Sequence, residues 1–508
     1  MSDTISSDDP GAGLTVVPQD TGPALRSGAR ATALTTAVSL VLVGGVVTAA
    51  VRGSNTSSAP ERLVPASAFA FAKIDLTLGD GQSGALSSFL AHFPDAPTKN
   101  GSGSLRDRLL TAMLRDSSDP HVDYAKDVKP WLGDTAAVAG WTDSAGKPQA
   151  EFLLRSTDDS KARSSLHRLA PKLGVVFADG YAVIAQSQTL ATQAVNAAHH
   201  ASLANDAHLH DDLAKLSGPQ VVSVWLDGAR ATKAVLGAMQ GQARSPLSSL
   251  MPGGVFAGPA LSQMKARVVV GLHVTKTYAE LVALSAGGAT STGGASASDL
   301  LTHLPNGTIA AAEIASPGKI VTAAMSALTS VFGAFAAGAS SQRFDPAVQI
   351  EKATGLNLPG DAETLLGDGV VIAYGGLRAG GLPNVGFRSH PVDVSRASAV
   401  ADHARGVIAH STGMGLSVQP AGRDLVVATS PDYAASLASS GSLGGQARFR
   451  QAMGSLPGRV GFAAYVDLAD IVPLFSHGQP DADHLDAVGM WAGRVGSDDR
   501  FQLRLVVH

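Results

Sequence analysis

Four imidazoles and two adjacent carboxylates stand out in one stretch, "HHASLANDAHLHDD", as His199, His200, His208, His210, Asp211 and Asp212. Imidazole nitrogens and carboxylate oxygens are the donors that zinc, nickel or copper take, so metal chemistry would be sought here first. The spacing argues against one shared ion. Adjacent residues on a helix project about 100° apart, so only one of His199 and His200 could join an ion held by His208 and His210. A related segment later in the chain, "LASSGSLGGQARFRQ", has no histidine at all. A solvated loop between two helices is therefore preferred, with metal binding as its alternative, and neither a cofactor nor a catalytic residue is expected.

Other chemistries are harder still to place. The chain has no Gly-x-Ser-x-Gly elbow, His-Glu-x-x-His helix or Walker loop. Cysteine is absent, which removes thiolate nucleophiles, disulfides and Cys-ligated zinc. A net charge of −4 without any basic run argues against nucleic acid, whose binding needs clustered Lys and Arg at the phosphates. Asp134 and Asp368 each follow Leu-Gly and read as turn residues bonding their own backbone. Asp227 and Asp467 each close a strand and read as helix N-caps.

The elements that would carry these residues are written twice. "RLVPASAFAFAKIDL" from Arg62 resembles "THLPNGTIAAAEIAS" from Thr302, with Pro65 opposite Pro305. Leu132-Gly133-Asp134 answers Leu366-Gly367-Asp368, Asp158 answers Asp393, Ser187 answers Ser430, and Asp227 answers Asp467. The matches keep their order, which indicates a duplicated unit of about 240 residues. Within each copy, short alternating runs read as strands joined by turns such as "ADG" and "AGR". Leu86, Phe89, Leu90 and Phe93 have the spacing of one helix face. Asp158, Asp393, Ser187 and Ser430 stand where a helix would be capped.

With 508 residues, 45% apolar and only 5% aromatic, the chain has material for two lobes with cores of small aliphatics. Residues 31–51, free of charge between Arg30 and Arg52, predict a helix long enough for a hydrocarbon layer of about 30 Å. The fold class expected is α+β, an N-terminal transmembrane helix followed by two tandem copies of one antiparallel-sheet-plus-helices unit. The divisions are a disordered tail (1–30), the membrane helix (31–51), a stalk (52–61), the first repeat (62–286), a Gly/Ser/Thr linker (287–300) and the second repeat (301–508). Ile320 to Gln342 is also uncharged, but its apolar stripe is one-sided, so it is read as a helix within its lobe.

The start "LVPASAFAFAKID", the "DYAKDVKPWLGD" corner and the N-terminal anchor together resemble an uncharacterised bacterial membrane-anchored family, domain of unknown function 3352. The resemblance covers the chain from Leu63 onward and brings no activity with it. The expectation is a single-pass protein of the cell membrane, its large C-terminal part extracytoplasmic, acting as a non-enzymatic binding or structural module of the cell envelope. Two alternatives stand beside it: a hydrolase or metal-dependent enzyme with a site between the lobes, and a carrier of an apolar ligand. Partners expected are the membrane through residues 31–51 and a protein or apolar ligand at the loop from Met239 to Met264.

Overall fold

Alternation along the strands decides the architecture. In Phe462–Asp467, Ala463, Tyr465 and Asp467 are buried while Phe462, Ala464 and Val466 between them are half-buried. Ala310–Ala315 and Tyr278–Ala286 repeat that rhythm. Side chains alternate across a strand, so each such segment has one closed face and one more open face. The computed structural model describes residues 59–76, 82–93, 104, 106–108, 110–111, 122–240, 266–286, 296–297, 299–318, 351–352, 354–412, 415–475 and 484–508.

The first half contributes β1 (Ala70–Asp75), β2 (Leu132–Thr142), β3 (Pro148–Ser156), β4 (Gly174–Ala178), β5 (Tyr181–Ala185), β6 (Val222–Asp227), β7 (Arg267–Val274) and β8 (Tyr278–Ala286). A two-residue β9 (Ser296–Ala297) follows, inside the expected linker. The second half contributes β10 (Ala310–Ala315), β11 (Gly369–Leu377), β12 (Pro383–Ser389), β13 (Ser417–Ala421), β14 (Asp424–Ala428), β15 (Arg459–Val460), β16 (Phe462–Asp467), β17 (Leu485–Val495) and β18 (Asp498–Val507). β9 pairs only with β15. The other strands form one antiparallel 16-stranded sheet, ordered β4-β5-β3-β2-β1-β6-β7-β8-β18-β17-β16-β10-β11-β12-β14-β13. Each half carries its strands in the same order, and the halves meet edge to edge through β8 and β18, with Glu280 opposite Arg504.

Two expectations are corrected here. The separate sheet expected in each lobe is replaced by a single continuous one, because the last hairpin of each half presents an edge whose free N–H and C=O groups the other satisfies. Among the described residues no helix is long and apolar enough to cross a membrane, so the membrane-helix element of the expected fold is not found. Residues 31–51 lie outside the described residues, as do 319–350 and 241–265.

Helices close one face of the sheet along its length. Ala194 and Val195 of helix Gln188–His200 pack on Leu153 and Val183, and Leu209 of helix Ala207–Ala214 joins Trp225. In the second half, Ala434 and Leu437 of helix Pro431–Ala438 pack on Val426 and Ala428. Phe449 and Met453 of helix Ala447–Met453 pack with Tyr465 and Trp491. That last helix comes so near the sheet that a Cβ on Gly489 would meet the Ala452 carbonyl at 2.5 Å. The opposite face is covered less evenly, by Leu86, Phe89 and Leu90 of Gln82–Ala91 on Leu272 and Val274 of β7, by Ala231 and Ala234 of Gly228–Gln240 on Leu226, by Ala162 and Leu166 of Asp159–Leu169, and by Ala397 and Ala401 of Val394–Thr412.

The helix starts follow the repeated polar residues. Asp158 accepts from Lys161 N and Asp393 from Arg396 N, each at 3.0 Å. Ser187 and Ser430 cap Leu190 N and Tyr433 N, each at 3.3 Å. Asp227 accepts from Arg230 N at 2.9 Å, and Asp467 from Asp470 N at 3.2 Å. Each bond satisfies a first-turn N–H that the helix itself leaves unpaired.

Candidate functional site

On the open face of the central strands, Ser285, Arg494 and Asp499 lie at one end, and the middle positions carry no polar side chains. They are Ala310, Ala312 and Ile314 in β10, Phe462, Ala464 and Val466 in β16, Val488, Met490 and Ala492 in β17, Phe501, Leu503 and Leu505 in β18, and Ala279, Leu281 and Ala283 in β8, all half-buried. Towards β11 and β12 the surface continues through Ile372 at 48% exposure and Val385 at 37%. An antiparallel sheet with one solvated face ordinarily puts polar residues there; here the polar residues of β8, β10 and β18, Glu280, Glu313, Gln502 and Arg504, lie on the helix-covered face instead. Five strands spaced about 4.8 Å apart span about 19 Å, and three outward residues along a strand cover about 14 Å. With helices flanking it, among them Gln82–Ala91 over Leu485 and Leu505 at one end, the result is an apolar trough on the scale of one or two acyl chains, each reaching about 15 Å in a bilayer leaflet.

Polar groups on the closed face are largely engaged with one another. At the seam between halves, Arg504 Nε donates to Glu280 at 2.7 Å and its Nη1 to the Gln451 carbonyl at 2.9 Å, with the guanidinium over the Tyr278 ring. Trp491 Nε1 and Gln502 Nε2 both donate to the Met453 carbonyl at 3.1 Å. These donors satisfy last-turn carbonyls of helix Ala447–Met453. The groups that meet between the halves therefore bind each other and the backbone.

The histidine-rich stretch does not assemble. His199 and His200 end helix Gln188–His200 and are exposed, as are His208, His210 and Asp211 on and around helix Ala207–Ala214. His210 Nε2 lies 2.7 Å from the Ala204 carbonyl. Among the described residues no group of three or more such side chains is placed to hold a metal. Asp212 departs from the expected solvated loop. It is 1% exposed and accepts from Arg267 Nε at 2.7 Å and Trp225 Nε1 at 3.1 Å. The Asp212 bond holds the Arg267 guanidinium above its ordinary pKa. Asp206, which the sequence reading passed over, caps His208 N at 2.9 Å and pairs with Arg230 at 2.6 Å. Burial raises its carboxyl, but the Arg230 bond outweighs that and holds it below the ordinary value.

Of the repeated corner residues, Asp134 accepts from its neighbour Thr135 Oγ1 at 3.1 Å, and Asp368 donates its backbone N–H to the His390 carbonyl at 3.0 Å. The loop from Met239 to Met264 lies, from residue 241, outside the described residues.

Two buried polar features carry no repeat signal and were not singled out from sequence. Glu151 in β3 is fully buried, between Ala139 and Ala185 in register, and neither carboxylate oxygen has a hydrogen-bond partner. Burial pushes its pKa well above the ordinary 4.5, so the group is held neutral. Trp141 Nε1, on the same face, is also unpartnered. In the second half, Asp424 in β14 is held by Arg388 Nε at 2.6 Å and by His390 Nδ1. "AEFLL" and "FRSHP" offered no spacing that marks such pairings, since the partners come from neighbouring strands.

No protein-family model matches the chain, and no curated protein matches it. Among solved structures, crystal form III of TP0453 is similar over 46% of this chain and 82% of its own, at 7% identity and a TM-score of 0.23. A likeness at that score carries no argument about fold or function.

Proposed function

We propose that the protein is a non-enzymatic binding module that holds an apolar, chain-like ligand against the open face of its sheet. The observation that carries this reading is the run of half-buried apolar residues on one face of β10, β16, β17, β18 and β8, a face less covered than the other by the described helices. Contiguous exposed apolar surface on this scale marks contacts with other molecules. A ligand is favoured over a flat protein partner because the surface lies down between flanking helices, as small-molecule sites do. The enzymatic alternative finds less support, since Glu280 and Arg504, the charged groups that meet between the halves, bind each other.

The test is equilibrium binding of the neutral dye N-phenylnaphthylamine, followed by its fluorescence in the full chain. Saturable binding is expected. Met490→Asp and Leu503→Asp each place an unpaired charge on the trough floor and should weaken it tenfold or more. No saturable binding, or binding indifferent to both substitutions in folded protein, sinks the reading.

A further inference from the structure

One end of the trough has a polar rim built from both halves. His92 ends the segment after helix Gln82–Ala91, whose apolar residues pack with Leu485 and Leu505 of β17 and β18. Its Nδ1 lies 3.1 Å from the Phe89 carbonyl, which fixes Nδ1 as the donor and turns Nε2 away from the helix. The ring meets that of His484, the residue before β17, edge to face with centroids 5.9 Å apart. His508 adds its backbone bond to the His484 carbonyl at 3.2 Å. Among the described residues, the carboxylate nearest the pair is matched: Asp486, 4.0 Å from the His508 ring, is taken by Arg448 at 2.6 Å.

From His484 to Met490 along β17 is about 20 Å at about 3.4 Å per residue. That span matches a long acyl chain whose polar end reaches the rim. We propose that the His92–His484 pair receives the anionic head, carboxylate or phosphate, of an amphiphile whose chain lies in the trough. The inference rests on the open-face reading and names the ligand class for it. A protonated imidazole donates charge-assisted bonds to an anionic oxygen, which are roughly twice as strong as neutral ones. Anion binding therefore takes up a proton, and affinity falls as pH rises through the range where imidazoles titrate, with His484, His508, Asp486 and Arg448 as the neighbouring charged or titratable groups among the described residues and Asp483 next to His484 in the chain.

The experiment displaces N-phenylnaphthylamine from the full chain with a long-chain fatty acid, its methyl ester and an alkyl phosphate of equal length. An anionic ligand is expected to bind about tenfold tighter than the ester at about pH 5.5, with the gap closing by about pH 8; the tighter of acid and phosphate identifies the head. His92→Gln with His484→Gln should abolish the gap while leaving the ester's affinity unchanged, and His92→Lys with His484→Gln should restore the preference at the higher pH. Equal displacement by ester and anions at both pH values overturns the head site but leaves the open-face reading standing. Failure of all three to displace the dye overturns both.

Discussion

Glu151 makes stability depend on pH in a direction opposite to most carboxylates. Its two oxygens are buried without partners, and burial raises its pKa well above 4.5. The folded state therefore binds a proton that the unfolded chain releases near pH 4.5. Stability from this group is fully present below that value and is lost as pH rises towards the folded pKa, at about 1.36 kcal/mol per pH unit. Glu151→Gln keeps the volume and removes the titration. As pH rises above about 4.5, urea unfolding should show wild type losing stability relative to the Gln variant, by at most about 1.4 kcal/mol per pH unit, all other titrating groups being common to both. Parallel curves would refute the burial argument.

A second variant tests why a carboxyl stands there. The register partner of Glu151 in the second half is Gly386, where an added Cβ would meet Leu437 Cδ1 at 2.6 Å. Ala194 occupies the first-half position equivalent to Leu437, so Glu151 over Ala194 answers Gly386 under Leu437. The double variant Glu151→Gly, Ala194→Leu should fold and lose the pH slope, whereas Ala194→Leu alone overpacks and costs about 1–3 kcal/mol.

Arg504→Met leaves Glu280 buried and unpaired at the seam and should cost about 3–5 kcal/mol in unfolding experiments, while Arg504→Met with Glu280→Gln should recover most of it. Asp212→Ala strands Arg267 and Trp225 Nε1 and should lower the melting temperature more than Asp212→Ala with Arg267→Ala, since the second half holds Ala452 and Ala487 at the corresponding positions, both fully buried. A double variant as damaging as the sum of its singles would show that the pair is not a replaceable unit.

Local chemistry was the legible part. Caps at Asp158, Asp393, Ser187, Ser430, Asp227 and Asp467 depend on residues two to four positions away, and a sequence shows such partners directly. The helix stripe is equally local, with Leu86, Phe89 and Leu90 buried and Phe93 packed beside them. Long-range pairing was not legible. Whether β8 and β18 end two sheets or join one depends on edges more than two hundred residues apart in sequence, Glu280 meeting Arg504 at a separation of 224. The trough escaped for a related reason: along apolar runs such as those of β16 and β17, only the placement of helices reveals which face is less covered. Asp212 misled because "HLHDD" looks solvated, while its partners Trp225 and Arg267 lie on separate strands.

The two halves keep the same strand order yet exchange their polar groups in pairs, and the exchanges separate scaffold from specialisation. The Asp closing β6 is neutralised by Arg230 from its own helix, at 3.1 Å, whereas the Asp closing β16 is neutralised by Arg448 from the preceding helix, at 2.7 Å. Lys73 pairs with Glu61 at 3.2 Å in the first half; at the same sheet position Glu313 accepts the Leu301 N–H at 3.0 Å. In each case the donor moves while the role stays filled, as expected where an unpaired buried group costs more than the bond itself contributes. The open face shows no such exchange, because its central positions are apolar in both halves: Ala279, Leu281 and Ala283 in β8 face Leu505, Leu503 and Phe501 in β18. Core positions that nothing but packing constrains differ in compensated pairs, while the face that the described helices cover less is apolar on both sides of the seam. Stability does not require that of half-exposed sites, where polar residues would be tolerated, so the constraint there comes from what the face contacts.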